Sequence, residues 1–411
     1  MFLRLKILLF VCFFIFLSKY NKLFAQKNIP DTTKGLNTKS KQLDITDCYR
    51  YIIHKPTTAK EDSTKKKSLG PFYSPLLYSG YALVSGFLVA LANNISFYTH
   101  HTPDAKISSI LVNNIYTQDK QYINIVRSNI WLAHEKINLV GEWAYYKFPT
   151  NTFGLGSTTT LADKDPVDFS YVKIYEVVMR TIAKNVSVGI GYNLDYHWNI
   201  AEMKSSPNLL TDLDKYGFTK TSSSSGGTLN FQYDSRLNSN NANNGTYANL
   251  QIRSNAKVLG SDMNWQSAII DLRHYIKTSK KSGNVLAFWS YTCFTLAGTP
   301  PYFDLPSTGW DNYNSTDREY VQGRFRGKDL IYAEAEYRYR ILKNGLLGGV
   351  VFSNGSSITE WPSNRFEKIN VGAGLGLRIK MNKKSNSNLC IDYGVGTGNS
   401  KGFSFNLNEV F

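Results

Sequence analysis

The chain has 411 residues, of which 14% are aromatic, and its formal net charge is +16 at pH 7. This length allows one large domain or two ordinary ones, and four cysteines are too few for a disulfide-rich scaffold. No basic helix accompanies the positive charge, which argues against nucleic acid as a partner and favours an anionic surface such as lipopolysaccharide or lipid headgroups.

Residues 1–25 are predicted to be a secretory signal peptide. Arg4 and Lys6 precede an apolar run over residues 7–17, and Phe24-Ala25-Gln26 follows it, so we expect cleavage after Ala25. The run has eleven residues, fewer than the roughly 20 that a spanning helix needs. No other segment resembles a transmembrane helix. The exported chain is therefore expected to be secreted, periplasmic or a β-barrel.

Residues 26–70 are predicted to be a basic periplasmic leader. They contain ten Lys or Arg residues against five Asp or Glu residues, including the run Lys65-Lys66-Lys67. Residues 46–54 have the apolar spacing of a short helix, with Asp47 near its start. A flexible leader carrying this helix is the simpler interpretation, and a plug for a barrel is the alternative. The segment is too short for a periplasmic domain of ordinary size.

From Pro71 onward the sequence alternates between apolar and polar residues, which places one face of each strand against an apolar environment. The alternation is clearest in residues 122–131, 139–148, 186–198, 247–253 and 331–339. Clusters of Asn, Gly, Ser and Asp separate such segments. At about 20 residues per strand with its connection, residues 71–411 predict an all-β fold, an antiparallel transmembrane β-barrel of about 16 strands. An even, closed barrel pairs every backbone group within lipid.

The last ten residues, 402–411, continue this alternation. Counted back from Phe411, every second residue is apolar or aromatic except Glu409. A soluble protein can also finish on such a strand, but in an exported chain the pattern favours an outer-membrane strand. Barrel-assembly machinery binds a terminal aromatic of this kind, and the predicted signal consists of Phe403, Phe405, Leu407 and Phe411.

Residues 317–329 read DREYVQGRFRGKD and are followed by IYAEAEYR at residues 331–338. Together they resemble the signature of the bacterial surface antigen family, the barrel part of BamA- and TamA-like proteins. In that family an extracellular loop folds into the lumen and carries an Arg-Gly-aromatic tip. The resemblance implies that Arg318 is the tip arginine and Tyr320 its aromatic neighbour.

Further segments resemble the family in chain order from Pro71 to the end. These are Tyr73-Ser74-Pro75, Phe153-Gly154-Leu155-Gly156, Tyr233-Asp234-Ser235-Arg236, Asp392-Tyr393-Gly394 and Asn408-Glu409-Val410-Phe411. Three features depart from the pattern. Glu319 replaces the glycine of the tip, Ser353 replaces an Asp, and residues 26–70 hold no counterpart of the periplasmic domains that deliver clients to BamA.

The resemblance also implies a site in the lumen. The Arg318 guanidinium needs carboxylate partners there, and Glu336 is the first candidate, with Asp271 and Asp392 as the next. A latch formed by Arg318, Tyr320 and Glu336 would hold the folded-in loop during substrate passage. The alternative is a static ion pair that only satisfies a buried charge.

Three basic residues follow the tip, Arg324, Arg326 and Lys328. If they line the lumen, they bias it toward anions. The alternative interpretation places them on a solvated extracellular loop.

Catalysis is not expected. No Gly-x-Ser-x-Gly motif is present, and His100-His101 has no nearby partners for a metal ion. The run Gly372-Ala373-Gly374-Leu375-Gly376 resembles a phosphate loop but continues an alternating strand, so packing explains it better. Cys48, Cys293 and Cys390 could form at most one disulfide, and three free thiols are the simpler expectation.

The family resemblance implies insertion of proteins into the outer membrane or translocation across it, through a weak seam between the first and last strands. A passive diffusion pore or a structural barrel is the alternative. No cofactor is expected. The expected partners are outer-membrane lipid and lipopolysaccharide, the barrel-assembly machinery during biogenesis, and an unfolded client protein or a soluble periplasmic partner.

Overall fold

The structure is a computed structural model. It describes residues 42–45, 47–48, 69–82, 85–101, 106–203, 210–236, 238–239, 241–278, 283–312, 314–383 and 386–411. The predicted signal peptide and most of the predicted leader lie outside the described residues.

Sixteen long strands and one short strand form a single sheet in the described part of the chain. The strands of the first half are β1 (Phe72–Ala82), β2 (Gly86–Phe97), β3 (Ser108–Thr117), β4 (Tyr122–Leu132), β5 (Ile137–Lys147), the short β6 (Thr150–Thr152), β7 (Asp165–Ala183) and β8 (Val186–Glu202). The second half contains β9 (Thr221–Asp234), β10 (Gly245–Asn255), β11 (Trp265–Lys277), β12 (Val285–Gly298), β13 (Asp329–Arg340), β14 (Leu347–Ile358), β15 (Asn370–Asn382), β16 (Ser387–Gly396) and β17 (Ser400–Leu407). The predicted all-β barrel of about 16 strands is confirmed.

Each long strand pairs antiparallel with the next long strand along the chain, as in β7 with β8 and β16 with β17. The short β6 pairs only with the beginning of β7, so that β5 and β7 are direct neighbours. Among the described residues no ladder joins β1 to β17. The two strands nevertheless lie side by side, since a methyl group added at Gly80 would be 3.6 Å from the Phe405 ring. The barrel is therefore nearly closed, with a seam between β1 and β17.

The two faces of the sheet differ in polarity. On β15, Leu375 and Leu377 point outward and are 62% and 46% exposed, whereas Arg378 points into the lumen and is 4% exposed. Large apolar side chains such as Ile190 on β8 continue the outer surface. An apolar outside and a polar inside are what a barrel needs when lipid surrounds it.

The connections at the two ends of the barrel differ in length. The chain makes long excursions after β5, β8, β12 and β14, whereas the connections after β4, β7, β13 and β15 have no more than six residues. Outer-membrane barrels place long loops outside the cell and short turns in the periplasm. This assigns the long connections to the extracellular end.

Within the described residues, helical structure is limited to short segments. Helix α1 spans Asp212–Tyr216, and 3-10 turns span Leu161–Asp163, Lys257–Leu259 and Tyr302–Asp304. Among the described residues, no helix is long and apolar enough to cross a membrane.

The longest connection, residues 299–328 between β12 and β13, lies inside the barrel and is called the lumen loop below. Its Tyr320 and Phe325 belong to an apolar cluster with Trp289, Tyr332 and Phe411. Its other end belongs to a second cluster, which contains Tyr302, Leu305, Tyr146, Phe148 and Phe169. The loop thus contacts two separate regions of the wall.

The expected alternation of the last strand ends at Leu407. Phe403 and Leu407 are 48% and 37% exposed, consistent with an outward position. Asn408 has a φ of +75°, which turns the backbone away from the strand. As a result, Val410 and Phe411 are each only 3% exposed and pack inside the barrel.

Part of the predicted leader is described at the periplasmic end. Ile45, Asp47 and Cys48 are helical, and the rest of the helix predicted over residues 46–54 lies outside the described residues. The Asp47 carboxylate lies 2.5 Å from Lys383 Nζ in the turn after β15. The Leu43 amide donates a hydrogen bond to the Asn344 carbonyl in the turn after β13 (3.2 Å). This turn of the leader therefore rests on two periplasmic turns.

Candidate functional site

Arg318 lies at the tip of the lumen loop and is surrounded by carboxylates from the barrel wall. Its Nη1 is 2.6 Å from Oδ2 of Asp392 on β16, and its Nη2 is 2.5 Å from Oε1 of Glu336 on β13. Nη2 also contacts Glu334. The guanidinium stacks on Phe352, with Cζ 3.9 Å from the ring centroid. The structure thus brings Arg318 together with two of its three predicted partners and adds Glu334.

The ion pairs continue from Arg318 around a closed circuit. Glu336 is 2.6 Å from Arg338, which is 3.7 Å from Glu409. Glu409 is 2.7 Å from Arg378, and Arg378 is 2.5 Å from Asp392, which returns to Arg318. We call these six residues the charge ring: Arg318, Glu336, Arg338, Glu409, Arg378 and Asp392.

Every side chain of the charge ring is at most 7% exposed. Removing so many charges from water is costly, and only close partners of opposite sign offset that cost. Each acid of the ring lies between two guanidinium groups, and each guanidinium between two acids. The ring therefore ties the loop tip, strands β13, β15 and β16, and the segment after β17 into one electrostatic unit.

The third predicted partner of Arg318 is engaged elsewhere. Asp271 on β11 pairs with Arg273 at 2.7 Å and accepts a hydrogen bond from Trp289 Nε1 at 3.0 Å. Ser353, which replaces an expected Asp, is exposed on β14, and its hydroxyl donates to the Gly372 carbonyl at 3.2 Å.

Glu319, which replaces the glycine of the tip, is fully buried. Its Oε2 accepts a hydrogen bond from Asn354 Nδ2 at 3.0 Å, and burial raises the pKa of its carboxyl. A Cβ at Gly372 would lie 1.9 Å from Glu319 Oε1, and one at Gly376 would lie 1.7 Å from Asp392 Oδ1. The glycine run on β15 is part of a strand, as predicted. Because glycine has no side chain, Gly372 and Gly376 leave space for the carboxylates of Glu319 and Asp392.

Tyr320 anchors the tip next to Arg318. Its hydroxyl lies 2.9 Å from the Val371 carbonyl and 2.8 Å from the Thr397 hydroxyl, and the Thr397 amide donates to it at 2.8 Å. Because Thr397 lies in the turn between β16 and β17, Tyr320 fixes the lumen loop to the extracellular end of the last hairpin.

The basic residues after the tip do not lie on a solvated loop. Arg324 and Arg326 are each 5% exposed. Arg324 Nη1 donates to the Thr159 hydroxyl at 2.8 Å, and Arg326 Nη1 donates to the carbonyls of Tyr302 and Phe303 at 3.1 and 3.3 Å. Lys328 is partly exposed. The two arginines therefore organise the backbone of the loops.

The turn at residues 153–156 contacts the lumen loop at the extracellular end of the barrel. The Gly156 amide donates to the Arg326 carbonyl at 2.7 Å, and Gly156 has a φ of +108°. Next to it, Glu360 accepts hydrogen bonds from the amides of Ser157 and Thr158 at 2.7 and 2.9 Å. A Cβ at Gly156 would lie 1.8 Å from the Glu360 carboxylate, so glycine is required there by both conformation and space.

The residues of the predicted assembly signal divide between two environments. Phe403, Phe405 and Leu407 are on β17, with Phe405 at the seam. The Phe411 ring lies in the lumen, 5.2 Å from the Trp289 ring, and the Phe411 carbonyl accepts a hydrogen bond from Arg338 at 3.0 Å.

The sequence analysis did not predict Glu334, Arg378 or Glu409 as members of the site. The alternation of inward-facing and outward-facing residues along the strands could have identified them. Glu334 has the same parity on β13 as Glu336, and Arg378 is a charged residue on the inward face of β15. Glu409 was the polar exception in an otherwise apolar pattern.

The arrangement can hold or release a loop, but it offers no recognisable catalytic grouping. Among the described residues, no three or more His, Cys, Asp or Glu side chains are placed to hold a metal ion. Cys48, Cys293 and Cys390 are free thiols. The chemistry of the site is that of charge-assisted hydrogen bonds, which are strong and geometrically specific.

Comparison with known proteins gives consistent results. Residues 144–411 match a family model described as the Omp85 superfamily domain. A comparison with curated proteins found no match.

Two solved structures resemble the fold. The chain is similar to BamA from Haemophilus ducreyi lacking POTRA domains 1–3, with a TM-score of 0.53, 14% identity, and coverage of 81% of this chain and 69% of that one. It is also similar to CdiB from Acinetobacter baumannii, with a TM-score of 0.52, 14% identity, and coverage of 82% of this chain and 60% of CdiB. At this identity the similarity establishes the fold alone.

Proposed function

Because the chain belongs to the Omp85 superfamily, we propose that it inserts proteins into the outer membrane or translocates them across it. The protein is an outer-membrane β-barrel of the BamA type. Family members of this type act mostly in transport and assembly, so a non-catalytic role is part of the proposal.

The seam between β1 and β17 is the observation that carries the proposal. An unpaired strand edge within lipid leaves backbone amides and carbonyls without partners, which costs several kcal/mol per group. Such an edge is also a template on which another extended chain can add a strand. A barrel that keeps a seam in the described structure therefore has a physical means of accepting a client strand.

The charge ring supports the same proposal from inside the lumen. It connects the lumen loop to the segment that follows β17, one of the two seam strands, through the contacts of Glu409 with Arg378 and Arg338. A change in the position of β17 would therefore alter the contacts that hold Arg318. We propose that the ring braces the lumen while the seam opens and closes, with Arg318, Tyr320 and Glu336 as the latch.

Client and partners follow from the same geometry. The proposed client is an unfolded protein with an exposed strand, and the leader turn that rests on Asn344 and Lys383 marks the periplasmic face where a soluble partner would approach. Barrel-assembly machinery is the proposed partner during biogenesis. The apolar outer face is expected to contact lipid and lipopolysaccharide.

A seam cross-link tests the function directly. Gly80→Cys with Phe405→Cys would join β1 to β17 in a background in which Cys48, Cys293 and Cys390 are replaced by alanine. The matched control is Leu389→Cys with Leu407→Cys, which joins β16 to β17 across an existing pair of the ladder.

The assay measures folding of a small eight-stranded barrel into vesicles that contain the protein. We expect the seam cross-link to abolish the acceleration of client folding and reduction to restore it, while the control cross-link has little effect. Equal acceleration with the seam closed would overturn insertion through the seam and favour a passive pore or structural barrel.

A further inference from the structure

A second polar cluster lies beside the lumen loop, away from the six residues of the charge ring. Here the loop and residues of β7, β8, β10, β11 and β12 enclose a partly open cavity of about 120 Å³. We call it the aromatic cavity, because aromatic rings form much of its wall: Tyr146, Phe169, Tyr171, Trp265, Phe303 and Trp310.

The charged side chains of the aromatic cavity have partners already. Asp304 accepts a hydrogen bond from the Ser224 hydroxyl at 2.5 Å, Arg326 donates to the carbonyls of Tyr302 and Phe303, and two further groups form ion pairs. Asp195 lies 2.5 Å from Arg253 and accepts hydrogen bonds from the hydroxyls of Tyr171 and Tyr175. Lys173, also on the wall, pairs with a carboxylate of β5 at 2.8 Å. A charged ligand would have to displace one of these pairs, so the cavity favours a neutral one.

In the part of the chain that the structure describes, two side chains of the cavity wall, Asn193 and His197, have buried polar atoms without hydrogen-bond partners, and so does Arg326 at Nε. Asn193 is 1% exposed, and neither its amide nitrogen nor its amide oxygen has a hydrogen-bond partner. His197 is 4% exposed, and its Nδ1 also has no partner, since Asp304 at 4.0 Å is too distant for a hydrogen bond. Buried polar atoms in native proteins nearly always have a hydrogen-bond partner, so these side-chain atoms point to a ligand-binding site.

A ligand that satisfies these atoms must both donate and accept hydrogen bonds. The Asn193 amide offers two donors and an acceptor, and a neutral imidazole nitrogen is either a donor or an acceptor. A hydroxyl group can meet each of these needs because it donates one hydrogen bond and accepts two. Several hydroxyl groups on one small molecule would satisfy both residues together.

The aromatic rings add a requirement for a flat, weakly polar face. His197 is stacked on Tyr171 with ring centroids 4.1 Å apart, and the Phe303 ring is stacked near His197 with centroids 5.6 Å apart. Ring faces carry partial negative charge and attract polarised C–H groups. The C–H face of a pyranose provides these groups, while its edge carries the hydroxyls.

The volume of the aromatic cavity limits the size of the ligand. A cavity of about 150 Å³ accepts one benzene ring in a well-studied engineered protein, and a water occupies about 30 Å³ in the liquid. The aromatic cavity, at about 120 Å³, therefore has space for part of one six-membered ring, with the remainder in its open mouth. An oligosaccharide could enter only with its terminal residue.

We propose that the aromatic cavity binds a single neutral pyranose, either as a free sugar or as the end residue of a surface glycan, through Asn193 and His197. The site lies outside the charge ring and does not depend on the proposed role in protein insertion.

Titration of the detergent-solubilised full-length protein with D-glucose, D-galactose and N-acetyl-D-glucosamine tests this proposal, followed by tryptophan fluorescence. Trp265 and Trp310 line the cavity and report directly on occupancy. We expect saturable binding of at least one sugar and a loss of about tenfold or more in affinity in Asn193→Ala and in His197→Phe, as for removal of a hydrogen-bond partner.

The matched control is Asn138→Ala. Asn138 is a buried strand asparagine, 5% exposed, whose amide donates to Asn129 at 2.6 Å on β4, away from the cavity. Its affinity for the sugar should equal that of the wild type. Heat-modified migration on a gel shows whether each variant is folded, and either cavity variant alone suffices for the test.

A parallel titration with lipopolysaccharide core oligosaccharide distinguishes the two sources. Tighter binding than that of any free sugar would support the proposal with a surface glycan as ligand, and weaker binding would support it with a free sugar. Absence of saturable binding by the wild type to every probe, or binding that neither variant weakens, would overturn the proposal.

Discussion

The two regions that the lumen loop contacts differ in how their buried polar side chains are paired. Each charged side chain of the ring faces two partners of opposite charge, although Arg318 Nε and Arg338 Nη1 have no hydrogen-bond partner of their own among the described residues. Next to β13, β15 and β16, the charge ring matches three guanidinium groups with three acids, and Glu334 adds a fourth acid. Next to β7 and β8, Asn193 and His197 keep polar atoms without partners. The paired charges of the first region hold the loop, and the unpartnered atoms of the second region can bind a ligand.

This difference matters because both regions are equally buried. In a low-dielectric interior, a network of paired charges rigidifies its surroundings, whereas a side-chain amide with no partner at all is costly until a partner arrives. Substitutions in the two regions should therefore change stability in opposite directions.

The largest expected effect is that of Arg318→Ala. It would leave Asp392, Glu334 and Glu336 without the guanidinium between them, and breaking a buried ion pair on one side costs about 3–5 kcal/mol. Thermal unfolding in micelles should show a strongly lowered Tm. Arg324→Ala is the control. Arg324 is a buried arginine of the same loop, but its guanidinium donates to Thr159 and is not part of the charge ring. An equal loss in both variants would contradict a special role for the ring.

Gly372→Ala should have the next largest effect. Its new methyl group would lie 1.9 Å from Glu319 Oε1, and overpacking of this kind costs about 1–3 kcal/mol. Glu319→Gly in the same chain should remove most of the loss, because it empties the space that the methyl group needs. A double-mutant cycle on unfolding free energies measures this coupling. Additive effects would show that Glu319 does not explain the glycine.

Glu409→Gln should cost less, about 0.5–1.5 kcal/mol, because the amide can keep one hydrogen bond to Arg378 while losing its charge. The loss should be accompanied by faster hydrogen exchange in the lumen loop, since Glu409 closes the ring from the other side. Exchange confined to the neighbourhood of Phe411 would argue that the ring does not act as a unit.

The smallest effect, and one of opposite sign, is expected in the aromatic cavity. Asn193→Leu replaces unpartnered polar atoms with an apolar side chain and should leave the Tm unchanged or raise it slightly. The same measurement on Asn354→Leu, whose amide donates to Glu319 at 3.0 Å, should show a clear decrease. A decrease of similar size in both would remove the contrast between the two regions.

Much of the fold could be predicted because a period of two is a local property. The strands around residues 122–131 and 186–198, and the strand that contains the glycine run, follow directly from that period. The contact of Arg318 with Glu336 was predicted from a family resemblance that also placed the loop in the lumen.

Other features depend on single residues or on distant contacts. The inward turn of Phe411 follows from the positive φ of Asn408, which an alternating pattern does not encode. The charge ring joins residues that are up to 91 positions apart, from Arg318 to Glu409. The aromatic cavity requires the lumen loop to meet β7 and β8, and no local pattern reports that contact.

The most direct test of the account is the planar-bilayer conductance of the refolded barrel, wild type beside Arg318→Ala. If the charge ring holds the lumen loop, the wild type should conduct little and the variant should show large, fluctuating openings, while Arg324→Ala stays close to the wild type. A steady open pore in the wild type that Arg318→Ala leaves unchanged would contradict the account.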